Sequence, residues 1–213
     1  GDFNIEIDYG ALVDGENQVD IIAIDGIGNT SVESVLIHYP SGNFWPVDYS
    51  IDWASISKIE DVAQIVDGLW EVFDDKLRPV ITGYDRTVAI GDMVWTDYEV
   101  LVPVTIHGFD MTGFEGINGR PAVGVMLKWQ GHTDWTGDQQ PNWGYYPTGG
   151  AAWYEFYSDG SGRLLLTDFQ SLFKSDPMNR TLSSEVTYFF RVKVETETTG
   201  VRYSIKVWDS AQP

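Results

Sequence analysis

The chain reads as an all-β protein built as an antiparallel β-sandwich, and three observations predict it. Apolar and polar residues alternate with period two through most of its length. Turn residues interrupt that alternation about every eight to twelve positions, the rhythm of sandwiches and barrels. A 43% hydrophobic content over 213 residues is enough to fill a core between two sheets. No cysteine is present, so neither disulfides nor thiolate metal sites hold the fold.

In chain order, the predicted strands are FNIEIDY (3–9), NQVDIIAI (17–24), TSVESVLIHY (30–39), LWEVF (69–73), LRPVITG (77–83) and DRTVAI (85–90). They continue with DYEVLVPVTIHG (97–108), PAVGVMLKW (121–129), AAWYEFYS (151–158), GRLLLTDF (162–169), TYFFRVKVETE (187–197) and VRYSIKVWD (201–209). One segment departs from period two. In SISKIEDVAQIV, Ile56, Ile59, Val62, Ala63 and Val66 recur at three and four, with Ser55 or Ser57 placed to cap, which predicts one or two turns of surface helix. PSGNFWP, with two prolines and a glycine, divides a short module, residues 1–40, from a large one, residues 41–213.

Thirteen basic against thirty-two acidic side chains leave a formal charge of -19. Such a surface repels polyanions over about 8 Å at physiological salt, which excludes nucleic acid and anionic lipid as partners and suits neutral polar ligands, calcium or high salt. No run approaches the roughly 18 apolar residues of a membrane span, so no membrane insertion is expected. No charged-then-apolar leader opens the chain, whose start reads as a processed boundary.

Two resemblances follow from particular residues. In the short module, Leu12, Gly15 and Asn17 lead into one strand, and Asp25, Gly28 and Asn29 form a turn into the next. This arrangement resembles the last part of a bacterial immunoglobulin-like repeat, and its physical sense is plain: the glycines permit positive φ, and the aspartates accept turn amides. About 40 residues supply only some three strands of the roughly seven such a repeat needs, so unpaired edges are expected, and with them self-association through incomplete sheets.

The large module resembles the concanavalin A-like lectin/glucanase jelly roll, also called laminin G-like. The residues that carry this are IVDGLW (65–70), GYDRTVAIGD (83–92), WTDYEVLVPVTIHG (95–108), AVGVMLKWQGH (122–132) and the hairpin YFFRVKVETETTGVRYSIKVWD (188–209). The resemblance implies a jelly-roll fold and an extracellular or cell-surface protein, with a polysaccharide or glycan as ligand. It also implies calcium as the cofactor to expect, since jelly rolls of this kind often tie a loop or their termini together with one ion through hard oxygen ligands. Candidate calcium ligands are Asp92 and Asp159, with Asp74 and Asp75 and the first residues as further sources of carboxylates. SDGSG around Asp159 reads equally as an ordinary hairpin turn.

Residues 127–156 carry the strongest functional signal, with Trp129, Trp135, Trp143 and Trp153 among the nine tryptophans of the chain, three tyrosines and one of three histidines. Along GVMLKW, Val125, Leu127 and Trp129 share one face, and Met126, Lys128 and Gln130 the other. Sugar recognition uses flat aromatic faces for the C–H side of the ring and a few polar groups for hydroxyls. Gln130, His132, Trp135, Trp143 and Tyr145 supply such groups, joined by Arg86 or Arg120. Trp129, Trp153 and Trp208 read as core. Asp85 and Arg86 together could hold a sugar by charge-assisted hydrogen bonds, or Asp85 could pin a neighbouring turn while Arg86 pairs with the acidic surface.

Glu6 with Asp8 and Asp97 with Glu99 are candidate acid pairs for catalysis, because alternation aims both carboxylates at one face of a strand. Both pairs also fit a solvated strand face. No nucleophile elbow, zinc-protease motif, phosphate loop or EF-hand loop occurs, and His38, His107 and His132 are too scattered to predict zinc. The expected function is a non-catalytic carbohydrate-binding or adhesion module of a larger secreted or surface protein. A filament subunit exchanging strands between chains, and a glycoside hydrolase or polysaccharide lyase of jelly-roll fold, stand as alternatives.

Overall fold

The computed structural model describes residues 5, 7, 9–42, 45–83, 86–92, 94–112, 120–129, 149–168, 173–178 and 180–212. The protein is all-β with antiparallel sheets, as its alternation requires. It divides into two compact units, Gly1–Asp92 and Met93–Pro213. No helix among the described residues is long and apolar enough to cross a membrane.

In the first unit, β1 (Gly15–Ile24) and β2 (Thr30–Tyr39) form a ten-residue-per-strand hairpin in unbroken register from Gly15 opposite Tyr39 to Ile24 opposite Thr30. The motif residues explain both ends. Asn17 Nδ2 donates to the carbonyl of Val13, and Asn17 Oδ1 accepts the Val13 amide, each at 2.8 Å, so one side chain imitates a strand partner. At the tip, Asp25 Oδ1 accepts the amides of Ile27 and Asn29, at 3.0 and 2.8 Å, while Gly28 takes φ +90°. Across the base, Asp14 Oδ1 accepts the Ser41 amide at 2.6 Å. Among the described residues neither strand has a second partner.

The predicted strand over 3–9 is not seen at the described positions: Tyr9–Ala11 is a 3-10 turn. The helix expected over 55–66 is also corrected. Trp53–Ser55 and Ile59–Asp61 are single 3-10 turns, and the segment then extends as β3 (Gln64–Asp67). Ile59 and Ala63 are buried, as a helical face would have them, but one turn is enough to bury both. β-branched Ile65 and Val66 then favour extended backbone.

β4 (Trp70–Phe73) and β5 (Lys76–Pro79) form a tight hairpin, and β6 (Thr87–Ala89) pairs with β3. Both turn residues of the β4–β5 hairpin, Asp74 and Asp75, adopt positive φ, at 51° and 58°. This is the geometry that two-residue hairpins need and that Gly adopts without a Cβ penalty. Asp75→Gly is therefore expected to stabilise the first unit by about 0.5–1 kcal/mol, read as a rise in its urea midpoint.

The second unit is a two-layer sandwich. One sheet has the order β11 (Phe173–Ser175), β10 (Gly162–Thr167), β9 (Gly150–Phe156), β8 (Ala122–Leu127); the other has β13 (Gly200–Asp209), β12 (Thr187–Glu197), β7 (Tyr98–Thr105). Period two decides what lies between them. Tyr154, Phe156 and Leu164 meet Phe190, Val207 and Ile106 in one core cluster, and Leu127 and Ala152 meet Val192 and Val194 in a second. Tyr154 and Phe190 are fully buried.

Val125 and Leu127 face this core, as their alternation predicts. The pattern stops at Lys128, whose φ of +56° ends the strand and whose amide donates to the Tyr98 hydroxyl at 2.6 Å. The chain rejoins the sheet at Gly149 and Gly150. Neither has room for a Cβ, which at Gly149 would sit 2.3 Å from the Leu127 carbonyl oxygen and at Gly150 2.9 Å from the Tyr203 ring. Trp208, read as core, instead lies on the outer face of its sheet, because Val207 takes the inward position. It packs on Phe189 with ring centres 5.5 Å apart, and Lys206 Nζ lies 4.8 Å above its ring.

Candidate functional site

The residues predicted to bind ligand do not come together in one described place. Gln130, His132, Trp135, Trp143 and Tyr145 all fall within 130–148, outside the described residues. Arg86 belongs to the first unit, where its Nη1 lies 3.1 Å from Asp67 Oδ1 and its Nε donates to the Ile81 carbonyl at 3.0 Å. Its side chain runs against Gly68, where an added Cβ would come within 2.3 Å of Arg86 Cδ. Arg86 thus ties together segments of its own unit. Asp85, its expected companion, is outside the described residues.

The proposed calcium ligands are likewise accounted for. Asp159 Oδ1 accepts the Ser161 amide and hydroxyl, at 3.0 and 2.6 Å, closing the β9–β10 turn. Asp74 Oδ2 pairs with Lys76 at 3.3 Å. Asp92 follows β6 by three residues and is partly buried. Among the described residues no group of three or more acidic or histidine side chains stands together as a metal site.

Asp97 and Glu99 border a concavity of about 430 Å³ with Lys193, Glu195 and Thr196. They do not share a proton. The Thr196 backbone N–H bonded to Asp97 holds that carboxyl below the ordinary aspartate range, and the Arg191 guanidinium, 2.7 Å from Glu99, lowers the second. Both stay ionised at neutral pH, as a solvated strand face has them. Glu6 and Asp8 are outside the described residues.

A charged and aromatic array does stand on the outer face of the four-stranded sheet. Register places Ala122, Glu155 and Arg163 in one row across β8, β9 and β10, and Gly124, Trp153, Leu165 and Ser175 in the next. Arg163 holds Glu155 with two nitrogens, Nε at 2.9 Å and Nη2 at 2.8 Å from Oε2. Arg120, just before β8, brings Nη1 to 3.9 Å from the same oxygen and lays its guanidinium 4.6 Å above the Tyr157 ring. Arg163 also lies 4.8 Å above Phe173, whose ring is exposed on the edge strand.

The Glu155 side chain is 14% exposed and Arg163 21%, so this pair is half-desolvated and fixed, while Arg120 is 40% exposed. At 3.9 Å the Arg120 contact is an ion pair without a hydrogen bond, and among the described residues its N–H donors are not taken by any acceptor. Arg120 was named from sequence; Glu155 and Arg163 were missed. The turn at 158–161 held the signal, because a hairpin centred there places 155 opposite 163. Trp129 and Trp153 are partly buried with their indole Nε1 atoms withdrawn from solvent, but Trp153, read as core, stands on the outer face because Ala152 and Tyr154 take the inward positions.

Carboxylates that accept backbone amides give the fold a predictable acid response. Asp14, Asp25 and Asp97 each have a lowered pKa, caused first by a backbone N–H: that of Ser41, Asn29 and Thr196 respectively. A depressed folded-state value contributes stability that is present above the unfolded value, near 4, and is lost as pH falls through the folded value. The urea midpoint should therefore be similar at pH 7 and pH 5 and fall by pH 3, with Asp25→Asn flattening the fall for the first unit.

Comparison with protein-family models, curated proteins and solved structures finds no match to this chain.

Proposed function

We propose that the protein is an extracellular, non-catalytic module that binds a glycan on the outer face of its four-stranded sheet. The observation that carries this reading is the array of Arg120, Glu155 and Arg163 framed by Tyr157 and Phe173. It combines apolar ring faces with a small number of fixed polar groups, the composition that sugar sites use. The resemblance of the second module to the concanavalin A-like jelly roll supports it, and Trp135, Trp143, Tyr145, Gln130 and His132 remain proposed ligand-binding residues by their chemistry alone. Calcium enters as the proposed cofactor through the same resemblance, with Asp92 as its candidate ligand.

A glycan array probed with the intact chain, with and without calcium, tests the reading. Binding to a defined polysaccharide class is the expected result, and silence across the array in both conditions would overturn it.

A second reading has its own observation. The β1–β2 hairpin exposes Ile22, Ile24, Val32 and Leu36 on one face, each more than half exposed, and both its outer edges lack a partner strand among the described residues. Two-stranded ribbons of this kind are marginal alone and invite a further strand. Assembly into an adhesive filament by strand exchange would show as a concentration-dependent mass in light scattering, and a chain that stays monomeric at high concentration removes it.

A further inference from the structure

We propose that the sheet-face site selects glycans that carry an oxyanion, the carboxylate of a uronic acid or a sulfate ester, and that Arg120 is the residue that reads it. This rests on the glycan reading above and adds the ligand's charge.

The chain's formal charge of -19 opposes such a ligand at long range, and the attraction at this site is local. Two guanidinium groups face one carboxylate at this place, and the two cations are not equivalent. Arg163 is consumed by Glu155: both of its contacts go to Oε2, it is largely withdrawn from water, and the cross-strand register keeps it there. Among the described residues Arg120 has no such commitment. It is 3.9 Å from the same oxygen, it rests on the Tyr157 ring, and it remains 40% exposed.

Held over the Tyr157 ring with its side chain 40% exposed, Arg120 presents a planar guanidinium, the group that meets a carboxylate or sulfate with two parallel hydrogen bonds. Glu155 gives the site a second property. It cancels Arg163, so the net charge presented is that of Arg120 alone, enough to select an anion without condensing polyanions in general. At physiological salt, charges beyond about 8 Å are largely screened, so the acidic remainder of the surface weakens this contact without abolishing it. Phe173, more than half exposed on the edge strand, offers apolar surface to the rest of the sugar.

Affinity electrophoresis of the full chain through gels containing polygalacturonate, dextran sulfate or neutral dextran and xylan tests this. The expected result is stronger retardation by at least one of the anionic polymers than by the neutral ones, the carboxylated and sulfated gels distinguishing the two oxyanions. Arg120→Gln should reduce the ratio of anionic to neutral affinity by about tenfold or more, and Arg120→Lys, which keeps the charge but loses the fork, by less. Glu155→Gln should move the ratio the other way, because it frees Arg163; near-ultraviolet circular dichroism checks that each variant is folded.

Retardation by neutral polymers with no anionic preference, or a preference that Arg120→Gln leaves unchanged, overturns the inference and leaves the glycan reading standing. Absence of retardation in every gel overturns both.

Discussion

Phe190→Ala is expected to lower the unfolding free energy of the second unit by about 3–5 kcal/mol. Phe190 has 0% exposure and sits where β12 presents its inward face to Tyr154, Phe156 and Leu164 of the opposite sheet. Removing its ring costs the transfer of the apolar surface and leaves a cavity that two hydrogen-bonded sheets cannot collapse to fill. The neighbouring position is the control. Phe189 points outward onto Trp208, so Phe189→Ala should cost only about 1 kcal/mol, mostly the loss of one ring pair. Urea unfolding followed by tryptophan fluorescence checks both, and equal midpoints for the two variants would mean the sheets are not stacked through β12 as described.

The second large effect is expected at Gly162, where the failure is too much side chain. An added Cβ would lie 2.3 Å from the Glu155 carbonyl oxygen and 2.5 Å from the Tyr154 ring. The carbonyl is backbone, and the ring is held, since the Tyr154 hydroxyl accepts the Leu182 amide at 3.2 Å and stacks edge-on to Phe156. Neither can retreat cheaply, so Gly162→Ala should destabilise by about 1–3 kcal/mol. Gly160→Ala, two residues earlier, meets no atom within 4 Å but sits at φ +84°, so its cost, about 1 kcal/mol, comes from backbone strain alone. A Gly162→Ala protein with an unchanged midpoint would show that β9 and β10 separate more readily than their packing implies.

The contrast between these glycines also shows where sequence reading stops. DGSG announced a turn, and the turn is there, closed by Asp159 and Ser161. Nothing in the sequence told Gly160, needed for its dihedral, from Gly162, needed for what lies beside it. Strands were legible wherever an alternating run was long: β2 and β12 match their predicted ranges residue for residue. β3 and β11 were not, because runs of four and three residues show little period and these lacked the longer flanking apolar stretches that revealed the equally short β4, β5 and β6. The helical pattern over 55–66 misled because two buried positions four apart, Ile59 and Ala63, satisfy a single turn as well as a helix.

The candidate site was legible in its residue types and only partly in its place. Aromatic density pointed to 127–156, whereas Glu155 and Arg163 look ordinary until strand pairing sets them side by side across a hairpin. The assignment of Trp208 to the core failed on parity alone: the same alternation that puts Val207 inside puts its neighbour outside.

The way β8 ends and β9 begins has a practical consequence. Lys128 turns out of the sheet under the Tyr98 hydroxyl, and Gly149 and Gly150 turn back in beneath Tyr203, so both seams are held by side chains of the facing layer. Substitutions at either seam should therefore be felt across the sandwich, because each joint borrows its closure from the opposite layer.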